Sequence, residues 1–91
     1  RVKILFGALK RKDYSGMLEA LQTGLPEAEL ILTIFHYGEV VTQGDRQDLP
    51  YVADYKAYIK EFMDQSPSDE VLFVTGSLYF IAEVRAFLLE G

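Results

Sequence analysis

At 91 residues the chain suits one domain, and its 49% apolar, 25% charged and 13% aromatic residues suit a folded core and exclude intrinsic disorder. The absence of cysteine excludes disulfides and thiolate metal sites, and no apolar run approaches the ~18 residues of a transmembrane helix. The net charge of −5 is uneven: residues 1–12 carry five bases and no acid, while the remainder sets four bases against fourteen acids, which excludes the broad basic face of a nucleic-acid binder.

The opening Arg1-Val2-Lys3-Ile4-Leu5-Phe6 is basic and then apolar, but too short for a secretory leader and without a cleavage site. The compartment expected is the cytoplasm. Because the chain opens inside a strand signal and lacks an initiator Met, it reads as a piece of something longer. Val2–Leu9, Leu30–Phe35 and Val71–Thr75 are near-continuous runs of apolar residues, as expected of parallel strands covered on both faces. A first helix is predicted over Tyr14–Gln22, with Tyr14, Met17, Leu18 and Leu21 on one face, Asp13 as N-cap, and Gly24 and Pro26 closing it. A second is predicted over Tyr51–Asp64, burying Val52, Tyr55, Ile59, Phe62 and Met63. A third follows Ser77, with Phe80, Ile81, Val84, Phe87 and Leu88 inward and Glu83 and Glu90 opposite. Only Gly38–Leu49 reads as irregular loop.

The order β-α-β-loop-α-β-α implies one α/β domain over residues 1–91, with a mostly parallel sheet and right-handed crossovers. Ligands of such sheets bind beyond the carboxyl ends of the strands, where the strand order reverses. A 2-1-3 order brings the turn Gly7–Asp13 beside Thr75-Gly76-Ser77; a 1-2-3 order separates them, and the spacing alone leaves both open. At the second turn Gly76 permits a tight bend and Ser77 starts a helix, whose free N–H groups and dipole favour a carboxylate or phosphate. The plainer role of Ser77 is an N-cap, and the two roles are compatible. Lys12 and Asp13 suit the two ends of an amino acid, an anion and an ammonium. Their plainer roles are a solvated lysine and a helix cap. His36 is the only histidine, so it has no histidine partner for a metal or a proton relay. Arg85 reads as a snorkelling flank residue. No phosphate loop G-x-x-x-x-G-K-[ST], no G-x-G-x-x-G and no nucleophile elbow occurs, so no catalytic residue and no metal ligand is assigned in the chain.

FGALKRKDYSGML at residues 6–18 and VLFVTGSLYFIAEVR at residues 71–85 resemble the carboxy-terminal domain of folylpolyglutamate synthase, a family often bifunctional with dihydrofolate synthase and part of the Mur ligase superfamily. The intervening PYVADYKAYIKEF is similar to family sequence too, so the likeness runs through nearly the whole chain. The resemblance implies a three-layer Rossmann-like domain, truncated at its amino-terminal side, in which the first and last strands are neighbours. It implies a reaction in which ATP and Mg²⁺, bound mainly outside this chain by an amino-terminal ATPase domain, activate a folate carboxylate as an acyl phosphate that the glutamate amine attacks. Folate and glutamate are then the substrates, and Ser77, Lys12, Asp13, Thr75 and Gly76 the substrate-binding positions. The chain departs from the family pattern at Arg11, where an acid is common, and the family's Asp-Gly-Ala-His-Asn-Pro nucleotide motif does not occur in it. Two expectations follow: a substrate-side ligase domain that is inactive alone, or a stand-alone α/β module that binds a small anion or a protein.

Overall fold

A computed structural model describes residues 1–65 and 68–90. Four parallel strands form one sheet in the order β3-β2-β1-β4, where β1 is Val2–Gly7, β2 Glu29–Thr33, β3 Tyr51–Val52 and β4 Val71–Gly76. Helices α1 (Tyr14–Gly24), α2 (Tyr55–Gln65) and α3 (Leu78–Glu90) complete it. β1 is central, with β2 on one side and β4 on the other, so the first and last of the three sequence-predicted strands are neighbours. The sheet is parallel throughout the described residues.

Side-chain alternation along β1 divides the core in two. Leu5 and Ile31 pack with Tyr55, Ile59, Phe80 and Val84 of α2 and α3. Ile4, Phe6, Leu30 and Leu32 pack with Leu18 of α1 and Val41 of the long loop. The result is three layers, with α2 and α3 on one face and α1 on the other. Phe80 anchors the first layer: its ring lies 5.2 Å from Phe35 and 5.4 Å from Tyr55, edge-on to the latter. Gly7 lets that ring reach the sheet, because a Cβ at position 7 would collide with it. Truncating Phe80, which is fully buried, should cost about 3–5 kcal/mol.

Several boundaries differ from those read in the sequence. β1 stops at Gly7, and Leu9 instead makes an isolated antiparallel bridge to Val40. β2 begins and ends earlier than Leu30–Phe35. Tyr51 and Val52 are not the start of α2 but a short strand beside β2, held by the buried Thr33 hydroxyl donating to the Val52 carbonyl at 2.7 Å. Helix α2 starts after Asp54, whose carboxylate accepts the Ala57 N–H at 3.1 Å as a cap.

The expectation that every strand is covered on both faces fails at β4. It is the border strand, its Leu72 and Val74 pack inward, and Val71 and Phe73 face out, Phe73 at 51% exposure. The outer flank of α3 is exposed as well. Ile81 and Leu88, expected inside, are exposed, as is Met63 on α2. No helix among the described residues is long and apolar enough to cross a membrane.

Candidate functional site

The carboxyl ends of β1 and β4 meet at one point. Gly76 has φ +124, a backbone that L-residues rarely adopt, and a Cβ there would run into the Gly7 carbonyl. That close approach lets the Ser77 N–H donate to the Gly7 carbonyl at 2.8 Å, so the end of one strand is tied to the bend that follows the other. α3 then begins, with the Ser77 hydroxyl oxygen accepting the Tyr79 N–H at 3.2 Å. Ser77 is thus an N-cap, and its own O–H proton remains available to a ligand.

Across from it the chain leaving β1 turns tightly, the Lys12 N–H donating to the Leu9 carbonyl at 3.2 Å. Asp13 caps α1 by accepting the Gly16 N–H at 3.0 Å. The two bends enclose an open cleft of about 620 Å³, lined among others by Lys12, Asp13, Met17, Gly76, Ser77 and Tyr79. Four of the five positions expected to bind substrate therefore share one cavity. Thr75 lies one residue back, in the ladder opposite Phe6, and is not part of the lining.

The basic bend is only partly spent on internal pairing. Arg11 hydrogen-bonds the Tyr37 phenol, and the Lys10 ammonium lies 3.5 Å from Asp45, whose carboxylate also accepts the Thr42 N–H at 2.9 Å. The Thr42 N–H bond, with Lys10 adding to it, holds the Asp45 carboxyl below its ordinary range against a partial burial that works the other way. Arg11 and Lys12 form no ion pair among the described residues. Lys12 therefore lines the cleft at the start of α3 without an ion pair among the described residues, and a cation and the first N–H groups of a helix both attract anions.

Sequence reasoning missed three contributors. Tyr79, two residues into α3, lines the cleft and stacks on Tyr37 at 3.8 Å and 11°; the only signal for it was its place in the first helical turn. Tyr37 leaves β2 by way of His36, a link that no local pattern reveals. Glu83, expected to face water, instead turns inward. Its carboxylate accepts from the Tyr55 hydroxyl at 2.6 Å, from the His36 backbone N–H at 3.1 Å, and lies 3.2 Å from the His36 ring nitrogen Nδ1. Burial works to raise the Glu83 carboxyl, but the bonds from Tyr55 and His36 outweigh it and hold the group below its usual value. Burial, then the bond to Glu83, pushes the Tyr55 phenol well above the ordinary tyrosine range. His36 is thus bound to α3 by a carboxylate while its ring remains 86% exposed. Arg85, on the same helix, is exposed.

No protein-family model and no solved structure matches the chain. The chain is 30% identical over 95 residues to the dihydrofolate synthase/folylpolyglutamate synthase of Bacillus subtilis (strain 168), an alignment that takes in 93% of this chain. It spans 21% of that relative's length, so the likeness concerns about a fifth of a much longer protein. What the chain shares with that relative is therefore sequence, over a segment of it.

Proposed function

We propose that the chain is the substrate-side domain of an ATP-dependent ligase of the folylpolyglutamate synthase kind, which joins the amine of glutamate to a folate carboxylate. The observation that carries this reading is the cleft in which Lys12, Asp13, Gly76 and Ser77 converge, considered with the relative's name. Lys12 neutralises a glutamate carboxylate, and the α3 start with the Ser77 hydroxyl orients it. Asp13 keeps one carboxylate oxygen for the amine while the other caps α1.

The donor set of this chain does not fit a Mg²⁺–nucleotide centre. The sequence contains no phosphate loop, and the described residues hold no group of three His, Asp or Glu placed for a metal. On this reading ATP and Mg²⁺ belong to an amino-terminal ATPase domain of a longer polypeptide. On this reading the chain alone is inactive, and the protein works in the cytoplasm on small-molecule substrates.

Ser77→Ala in the longer protein tests it. The loss of one hydroxyl contact to a charged substrate should lower kcat/KM for glutamate roughly tenfold, the equivalent of about 1.4 kcal/mol. Unchanged kinetics would reduce Ser77 to a helix cap and remove the cleft from the reaction.

A further inference from the structure

Tyr79 belongs both to a helix start and to a cavity wall. Its backbone N–H, in the first turn of α3, donates to the Ser77 hydroxyl at 3.2 Å, and the residue lines the Lys12–Ser77 cleft. The first N–H groups of a helix have no intrahelical partner, and helix ends fray. Phe80, fully buried, fastens this turn to the core, whereas Leu78 is 81% exposed. On the cleft side the turn is held through the Tyr79 ring, which stacks on Tyr37 with centroids 3.8 Å apart and planes 11° from parallel.

Tyr37 is itself fastened. Its N–H donates to the Phe35 carbonyl at 3.1 Å, and two residues on the Glu39 carbonyl accepts the Lys10 N–H at 2.9 Å. The phenol shares a hydrogen bond with Tyr79, which holds it above the ordinary tyrosine range, and accepts one from the Arg11 guanidinium, which works the other way. The bends after β1, β2 and β4 therefore meet at one pair of rings. Both rings lie outside the two core clusters, Tyr37 at 40% exposure and Tyr79 at 46%. A pair so exposed adds little to burial, but it removes the other rotamers open to Tyr79 at the edge of the cleft.

We infer that Tyr37 is a positioning residue for the cleft: acting through Tyr79, it holds the cleft wall and the first turn of α3, and with them the Ser77 hydroxyl, in the arrangement that receives the ligand. The inference rests on the glutamate reading of that cleft. Groups ordered before binding spare the ligand the cost of ordering them. Tyr37 itself lines the neighbouring cavity rather than this one, so its effect falls on how tightly the substrate is held and not on the chemical step.

The test is steady-state kinetics of the longer protein with L-glutamate as the varied substrate, beside circular dichroism to follow folding. Tyr37→Ala should raise KM for glutamate roughly three- to tenfold, the scale of one lost aromatic pair, and leave kcat within about twofold of wild type. Tyr37→Phe keeps the stack and should restore most of that KM. An unchanged KM in Tyr37→Ala, while Ser77→Ala still impairs the use of glutamate, overturns the positioning role and leaves the cleft standing. A KM that Tyr37→Phe fails to restore overturns it as well, because the stack is then not what acts. A Tyr37→Ala protein that no longer folds would make the pair a structural support and overturn the role too. Kinetics that answer neither Ser77→Ala nor Tyr37→Ala overturn the glutamate reading together with the inference.

Discussion

Two polar clusters sit along the carboxyl edge of the same sheet, and they are built on opposite principles. At Tyr55–Glu83–His36 every strong group is spent: one carboxylate, 22% exposed, accepts from a phenol and a backbone amide and pairs with an imidazole. At Lys12–Ser77 the capping bonds are made, but Lys12 forms no ion pair among the described residues and the cavity stays open. A saturated cluster fastens elements to each other, because leaving any member unpaired carries a desolvation penalty. An unsaturated one at a helix start is a place to receive a ligand. On the proposed reading, the first serves stability and the second binding.

Substitutions can break that division. The largest effect expected is at the joint between the two strands. Gly76→Ala meets both a positive φ and the Gly7 carbonyl, and should lose at least ~2 kcal/mol of unfolding free energy by chemical denaturation. Glu83→Gln should cost about 1–2 kcal/mol near pH 7, since an amide replaces the ionised acceptor of Tyr55. That gap has a pH signature. The folded Glu83 carboxyl lies below its ordinary 4.5, so the stabilisation is fully present above about pH 5.5 and fades as acid protonates the folded group. Wild type and Glu83→Gln should therefore converge as the pH falls from 4.5 through the lower value of the folded carboxyl. A gap that persists unchanged there would mean the carboxylate charge is not what binds His36 and Tyr55. His36→Ala should lose less, at most ~1 kcal/mol, because the ring is mostly solvated and only the backbone N–H bond is retained by alanine. Lys12→Ala should leave the denaturation midpoint unmoved while weakening anion binding, the mirror image of Glu83→Gln.

Much of this fold was legible because burial writes itself into composition. The apolar runs around Ile4–Phe6 and Leu30–Leu32 are covered on both faces, and the glycines and caps between them mark the bends that bring Lys12 and Ser77 together. β3 escaped detection because two residues carry no periodicity, and what holds them, the pairing with β2 and the buried Thr33 hydroxyl, comes from elsewhere in the chain. Asp54 is a legible cap signal, yet the apolar pair Tyr51 and Val52 before it extends the helical pattern and masks it. Glu83 was placed on the solvent side because a helical wheel considers one helix alone, whereas Tyr55 and the end of β2 come from elsewhere in the chain. Val71 and Phe73 show the reverse failure: an apolar run says that burial is favourable, and says nothing of whether a neighbour is present at a sheet border.

The central claim is that the bend after β1 and the start of α3 together receive a carboxylate. A crystal structure of the chain soaked in L-glutamate tests it most directly. The account predicts a carboxylate within hydrogen-bond distance of the Lys12 ammonium and of Ser77, with the amine turned toward Asp13. Glutamate bound elsewhere on the molecule, with the Lys12–Ser77 cleft holding only solvent, would contradict it.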